Sequence, residues 1–482
     1  FKQKTAYEII AGDWSSDVAL PIYPRGFGAP GHPHGARPGP GAGAGVRGRQ
    51  AVKIAATHAV RHVPRPTAPS PMNIRTQRLI DAVVGQALCA VLSLWARLWQ
   101  RTQPPVSEQP LRQVLVIMLS EMGSMVLAGP MFARIRQQHP QAQIHILQLA
   151  RNQQVARMLQ LAPDTHLHGL DDSSMFTLLA DIWRVMRQLR QLRLDAVIDC
   201  ELFSRISALL AYACGARWRA GFTPHTQEGL YRGSFMNAAI PYNPYRHISQ
   251  QFLALVDAIG AADAPRSKRV PMHPMATDSG LSLVFAPSQL SDYAQALRRD
   301  HPALMAAPQR VLMYAGGGLL PIRAWPAAHY AELARALCDQ GHAVAVIGLP
   351  EDQPLAQDIL RLCDHPLCHS LVGYTRSLQE LLMLFHHCDV LVTNDGGPGH
   401  FASLTPIRTL MFFGPETSRL YGPLTPRATV IELGLPCSPC LSAYNHRDTP
   451  CNGDNQCLKQ IDVAQVLRLT QTQLALAASP GA

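Results

Sequence analysis

From about residue 111 onward the chain alternates short aliphatic, β-branched runs with segments whose apolar positions recur every three to four residues. Runs at 114–119, 144–149 and 196–199 in the first half, and at 311–314, 343–347, 390–393, 409–413 and 429–432 in the second, read as buried strands. The stretches between them, such as 175–194, read as helices with one apolar face. Strand and helix in strict alternation predict an α/β fold, with parallel sheets covered by helices on both faces. The Pro- and charge-rich stretch 264–274 separates two halves written in the same grammar.

Upstream, residues 82–96 carry no charge, and Leu79, Val83, Ala87, Val91, Trp95 and Leu98 recur at helical spacing between Arg78 and Arg101. That stretch is shorter than the roughly 20 apolar residues needed to span a bilayer. Two readings stand: an interfacial helix on an anionic membrane face, or a helix docked on the protein's own core. Residues 1–71 are rich in Gly and Pro, which predicts disorder, and they lack the order of regions of a secretion signal. Met72 reads as a more natural beginning than Phe1.

Charge changes the picture little. The formal net charge is +10, but residues 1–71 hold nine Lys/Arg and three Asp/Glu, so the remainder is only mildly basic. No basic stripe with interleaved aromatics exists outside the tail, which argues against nucleic acid as a partner. Seven of the eleven cysteines are scattered through apolar segments like ordinary buried thiols, a usage that favours a reducing compartment and a cytoplasmic protein.

Two segments concentrate candidate chemistry. In Ala315-Gly-Gly-Gly-Leu-Leu-Pro-Ile-Arg-Ala-Trp-Pro, a strand runs into a glycine loop holding Gly316 and Gly317, then reaches Arg323. The glycine spacing does not match the dinucleotide fingerprint, and Arg323 is either a phosphate ligand or a solvated surface side chain. In Val390-Leu-Val-Thr-Asn-Asp-Gly-Gly-Pro-Gly-His-Phe-Ala, a buried strand leads to Asp395, then to Gly396, Gly397 and His400 as a helix begins. Backbone N–H groups at a helix start beside an imidazole suit a diphosphate, while the plainer reading is a tight turn capped by Asp395.

Taken with Phe413-Gly-Pro-Glu and Cys437-Ser-Pro-Cys, these segments resemble the lipopolysaccharide heptosyltransferase family, glycosyltransferase family nine, over about residues 111–475. The resemblance implies the GT-B architecture. Residues 105–280 would form a Rossmann-like acceptor domain and 281–482 a Rossmann-like donor domain, preceded by an amphipathic helix at 72–104. It further implies an inverting, metal-independent transferase that moves a heptose-like or other sugar from a nucleotide diphosphate donor to a lipopolysaccharide-type or other glycan acceptor. No cofactor would be required for catalysis. Arg323 would contact the donor's phosphates, and Asp395, Gly396, Gly397 and His400 would belong to the same pocket.

One departure matters. Family members carry Gly-Asp in the first loop, the Asp being the base, where this chain has Gly123-Ser124. A serine hydroxyl is no general base near neutral pH, so Glu121, three residues earlier, is the candidate replacement. Ser124 also keeps open two alternatives: a non-catalytic sugar-nucleotide or glycan-binding protein, and a sugar-nucleotide epimerase on the same fold.

Asp199, Glu201, Arg205, Arg219 and His247 in the first half read either as acceptor ligands or as caps and interface pairs. Cys437, Cys440, Cys451 and Cys457 read as a structural zinc site, as free thiols or as a disulfide. A lipid-linked acceptor would place the enzyme on the inner face of the cytoplasmic membrane, with an anionic membrane surface as a further partner.

Overall fold

The structure is a computed structural model, and it describes residues 81–100, 110–119, 122–202, 204–223, 231–261, 274–281, 283–318, 320–442, 449, 451 and 454–479. The 1–71 tail and Glu121 lie outside the described residues.

The first sheet contains β1 (Gln113–Ile117), β2 (Gln143–Leu149), β3 (Leu167–Leu170), β4 (Ala196–Asp199), β5 (Trp218–Phe222) and β6 (Ala238–Ile240). The second contains β7 (Arg310–Tyr314), β8 (Ala343–Val346), β9 (Cys368–Ser370), β10 (Val390–Asn394), β11 (Arg408–Phe413) and β12 (Ala428–Glu432). Their orders are β3-β2-β1-β4-β5-β6 and β12-β11-β10-β7-β8-β9, which is one topology used twice. The strand pairs are parallel throughout, so each connection is a crossover, in most cases by a helix.

In both halves the chain reverses its direction of winding at one place, between β1 and β4 and between β7 and β10. The carboxyl ends of those strands frame the crevice in which open α/β sheets bind ligands. A common device sets the register there. Asp195, just before β4, accepts the Gln113 N–H at 2.9 Å, and Asp389, just before β10, accepts the Arg310 N–H at 2.7 Å. Each carboxylate thereby fixes the amino end of the neighbouring central strand.

Five helices frame the site and the outer face of the first half: α1 (Gln86–Gln100), α2 (Met122–Leu127), α3 (Met175–Gln191), α4 (Arg205–Ala213) and α5 (Gly397–Ala402). α3 starts where Ser174 and Thr177 cap one another reciprocally, the Thr177 N–H donating to Ser174 Oγ at 3.1 Å. α2 follows β1 and α5 follows β10, and the two helices pack against each other, closing the halves along a seam. One apolar cluster crosses that seam, with Val114 and Phe252 from the first half and Leu312, Phe401 and Tyr421 from the second. His247 spans it as well, its Nε2 lying 2.9 Å from the Gly422 carbonyl oxygen.

The His145 ring on β2 sits among other imidazoles. Its Nδ1 is 3.2 Å from His168 Nε2, its Nε2 is 2.8 Å from Gln113 Oε1, and the His166 ring lies 4.2 Å away between centroids. Burial first, and neighbouring imidazoles second, push both His145 and His168 down to about 4 from 6.5. Between those values the unfolded chain binds more protons than the native one, so stability falls as pH drops below 6.5. The thermal midpoint should therefore fall between pH 7.5 and pH 5, and His145→Gln should flatten that fall. An unchanged slope in the variant would contradict this assignment.

Candidate functional site

The two glycine-rich segments meet, and the side chain of Asn394 joins them. Asn394 ends β10 with no solvent exposure. Its Oδ1 accepts the Trp325 N–H at 2.9 Å and the Tyr330 hydroxyl at 3.0 Å. Its Nδ2 donates to the carbonyls of Ala315 at 3.1 Å and Gly316 at 3.0 Å. One amide thus binds the end of β10 to both ends of the loop after β7. Sequence reasoning passes over Asn394, although an amide is the one side chain type able both to accept and to donate twice.

The glycines of this region differ in what they are for. A Cβ on Gly316 would stand 2.9 Å from Asp352 Oδ1, and one on Gly317 would stand 2.7 Å from the Leu320 oxygen. Gly317 is therefore required by the loop's own backbone, whereas Gly316 meets only the end of a side chain from the turn after β8. On Gly399 a Cβ would meet Met411 Sδ at 2.8 Å, so that glycine lets α5 lie on the sheet. Gly396 is the exception. Its backbone is extended (φ 170°, ψ 179°), and although the residue is buried, the nearest atom to a built Cβ is 3.9 Å away. Folding gives no reason for glycine there.

Arg323 is not a solvated arginine. It is 2% exposed, with Nη2 3.1 Å from Glu416 Oε1 and Nε 3.6 Å from Asp395 Oδ2. Glu416, from the Phe-Gly-Pro-Glu string, is a site residue that spacing alone does not single out. The cluster places one guanidinium between two carboxylates, an arrangement that fixes the plane of the guanidinium.

His400 lies in the first turn of α5, as expected, but it is fully buried at the seam rather than lining an open cleft. Burial, then the charges of His247 and Arg323, push its pKa down to about 3. In this closed arrangement the imidazole is neutral. It can donate one hydrogen bond but brings no positive charge to a phosphate.

On the other side of the seam, α2 carries Ser124, 4% exposed, and every residue of that short helix is buried. The loop before it is held by Glu201, whose Oε1 accepts the Leu119 N–H at 2.6 Å. The remaining first-half candidates have structural partners. Asp199 pairs with the buried Arg232 and accepts from Ser207 Oγ at 3.0 Å. Arg219 donates to the carbonyls of Phe235 at 2.9 Å and Ala216 at 3.1 Å. Arg205 pairs with Asp81 at 3.3 Å, and His247 bridges the halves. These are caps and ties, not ligands exposed to an acceptor.

The four cysteines lie near one another, Cys457 interacting with Cys440, Cys451 and Cys437. Among the described residues no three His, Cys, Asp or Glu side chains are placed to hold one ion. Cys437 is exposed, whereas Cys457 is buried beneath Gly414, where a Cβ would meet its Sγ at 2.8 Å. None of the four cysteines is joined in a disulfide.

This geometry has counterparts among known proteins. The profile of glycosyltransferase family 9 (heptosyltransferase) matches residues 182–449, more than half of the chain. The chain belongs to glycosyltransferase family 9. A lipooligosaccharide heptosyltransferase 2 of Haemophilus ducreyi is 26% identical over 335 residues, covering 67% of this chain and 88% of the relative. Lipopolysaccharide heptosyltransferase 2 of Escherichia coli is 23% identical over 325 residues, with the same shares. Among solved structures, E. coli ADP-heptose lps heptosyltransferase II superposes with a TM-score of 0.58 at 21% identity, covering 76% of this chain and all of that one. A family 9 glycosyltransferase from Veillonella parvula gives 0.60 at 20% identity, covering 77% and 99%. The fold is thus GT-B, and this family 9 member is a glycosyltransferase.

In it, Asn394 should be indispensable to folding of the loop after β7. Asn394→Leu removes four hydrogen bonds and strands two buried carbonyls, a loss of about 3 kcal/mol. Asn394→Asp should lose a similar amount, because a carboxylate cannot donate to Ala315 and Gly316. Urea unfolding of both variants checks this, and midpoints within error of the parent would refute it.

Proposed function

We propose that this glycosyltransferase moves a sugar, heptose-like or related, from a nucleotide diphosphate donor to a lipopolysaccharide-type glycan acceptor with inversion and without a metal. The second half takes the donor and the first half the acceptor. The observation that carries this reading is Gly396: a buried glycine between Asp395 and α5, in a backbone that any residue adopts, where a Cβ would stand no closer than 3.9 Å to any atom beyond its chain neighbours. That space adjoins the pair Asp395–Arg323 and suits a donor group packed against the backbone.

In the reaction, an acceptor hydroxyl attacks the anomeric carbon on the face opposite the nucleotide. The bond from that carbon to the diphosphate oxygen breaks, and the electron pair leaves with the diphosphate. Arg323, held in plane by Glu416 and Asp395, stabilises the charge that develops there. Gly397 and the loop holding Gly316 and Gly317 shape the same pocket, and His400 contributes a hydrogen bond rather than a charge. The hydroxyl proton goes to Glu121, since Ser124 occupies the position of the family's carboxylate and cannot accept it. The relatives' names place heptose transfer and lipopolysaccharide or lipooligosaccharide on the list of substrates to try first.

Gly396→Val should fold like the parent, with a melting point within about 2 °C, yet lose at least about tenfold in donor affinity. Titration with nucleotide diphosphate sugars, read by thermal shift, measures this. Undiminished binding would remove the donor from this space. Glu121→Gln should keep donor binding and lose about 100-fold or more in turnover. Unchanged turnover on a proven acceptor would take Glu121 out of the mechanism.

A further inference from the structure

Helix α1 is attached by its small residues and turns its large ones outward. Gly85 in the turn just before α1, and Cys89, Ser93 and Ala96 in it, face the protein, where Cys89 and Ala96 pack with Ala208 of α4 and with Phe235. A Cβ on Gly85 would touch Arg205 Cβ at 3.0 Å. The attachment is firm. Ser93 Oγ donates to the Cys89 carbonyl at 2.6 Å and accepts from the Ser234 N–H at 2.8 Å, while Asp81 accepts the N–H groups of Arg205 at 3.0 Å and Ile206 at 2.9 Å.

The opposite face holds Leu88, Val91 (65% exposed), Leu94, Trp95 (57%) and Leu98, continued from the preceding turn by Val83 (63%). Among the described residues of α1, the exposed polar side chains are Gln86 and Arg97. The apolar spacing of the sequence is thus real, but it marks the solvent side of a docked helix.

A second helix does the same thing. α3 buries Val185, Met186 and Leu189 in the apolar cluster that also holds Leu210 and Ala211 of α4, and it exposes Phe176 (86%), Leu179 and Trp183 (67%) at positions i, i+3 and i+7. Arg184, Arg187 and Arg190 follow, the Arg187 guanidinium lying 5.6 Å from the Trp183 ring. α3 and α4 share one apolar cluster on a face of the first sheet, where Arg190 Nε donates to the Ala213 carbonyl at 2.7 Å, and α1 packs on α4, so both outward stripes belong to that side of the sheet. The exposed charges of these two faces are Arg97 on α1 and Arg184, Arg187 and Arg190 on α3, opposed on α3 by Asp181, which pairs with Arg184 at 2.6 Å.

We propose that this α1–α3 face is a docking surface for an anionic lipid bilayer. Aliphatic and Trp side chains with arginines at their ends match the acyl boundary and the phosphate headgroups of such a surface. A second copy of the chain would instead bring the same arginines against themselves. At 15 residues, α1 is about 22 Å long against a hydrocarbon core of about 30 Å, so it lies in the interface and does not cross it. The proposal does not depend on which sugar or acceptor is used.

The test is pelleting of the full chain with phosphatidylglycerol vesicles and with phosphatidylcholine vesicles, for the parent and for the double variants Leu94→Glu/Trp95→Glu and Phe176→Glu/Trp183→Glu. The parent should bind phosphatidylglycerol several-fold more strongly than phosphatidylcholine, and about 0.5 M NaCl should weaken binding. Each double variant should lose at least about tenfold in vesicle partitioning while keeping the parent's melting point and its donor-induced thermal shift. Equal vesicle binding by parent and variants would overturn the proposal. So would a parent that ignores vesicles but forms a dimer the variants dissociate.

Discussion

The second half of this molecule depends on a single amide. The sheet brings the ends of β7 and β10 side by side at the point where its winding reverses, but topology alone leaves the loops beyond those ends free to take many courses. Asn394 removes that freedom by holding Trp325, Tyr330, Ala315 and Gly316 at once. Four hydrogen bonds formed without water are worth more together than apart, since losing the shared side chain strands every partner in a dry interior. Arg323 follows from this arrangement. It comes two residues before Trp325, so fixing that residue delivers the guanidinium to Asp395 and Glu416.

The seam shows how burial sets chemistry. Packing α2 against α5 encloses His400 and places it near a guanidinium and a second imidazole, and all three effects favour the uncharged ring.

Much of the fold could be read directly from the chain, because central parallel strands are buried on both faces and appear as unbroken aliphatic runs. β1, β2, β4, β7, β8, β10 and β11 fall on such runs, and the edge strand β12 falls on an aliphatic run although it is only partly buried. The strands without that signature are β3 (Leu-His-Gly-Leu), β5 (Trp-Arg-Ala-Gly-Phe), β6 (Ala-Ala-Ile) and β9 (Cys-His-Ser). Three of these are sheet edges of three or four residues, and β5 carries an arginine that satisfies two carbonyls, so none shows the pattern that burial imprints. In the site, glycine and histidine spacing was legible, whereas the partners of Arg323 were not. Glu416 lies 93 residues away in sequence, and only the sheet order joins it to the guanidinium. Likewise, periodicity identified the apolar stripe of α1 but could not say which way it faced. The small residues Gly85, Cys89, Ser93 and Ala96 decide that question, since they allow the closer approach to α4.

The central claim is that the loop after β7 and the segment from Asn394 to His400 form one receptor for a nucleotide diphosphate. The most direct measurement is a crystal structure of the protein with a nucleoside diphosphate bound. The account predicts phosphate oxygens within hydrogen-bonding distance of Arg323, with the ligand filling the space beside Gly396. A diphosphate bound elsewhere, with that space empty and Arg323 held only by Glu416 and Asp395, would contradict it.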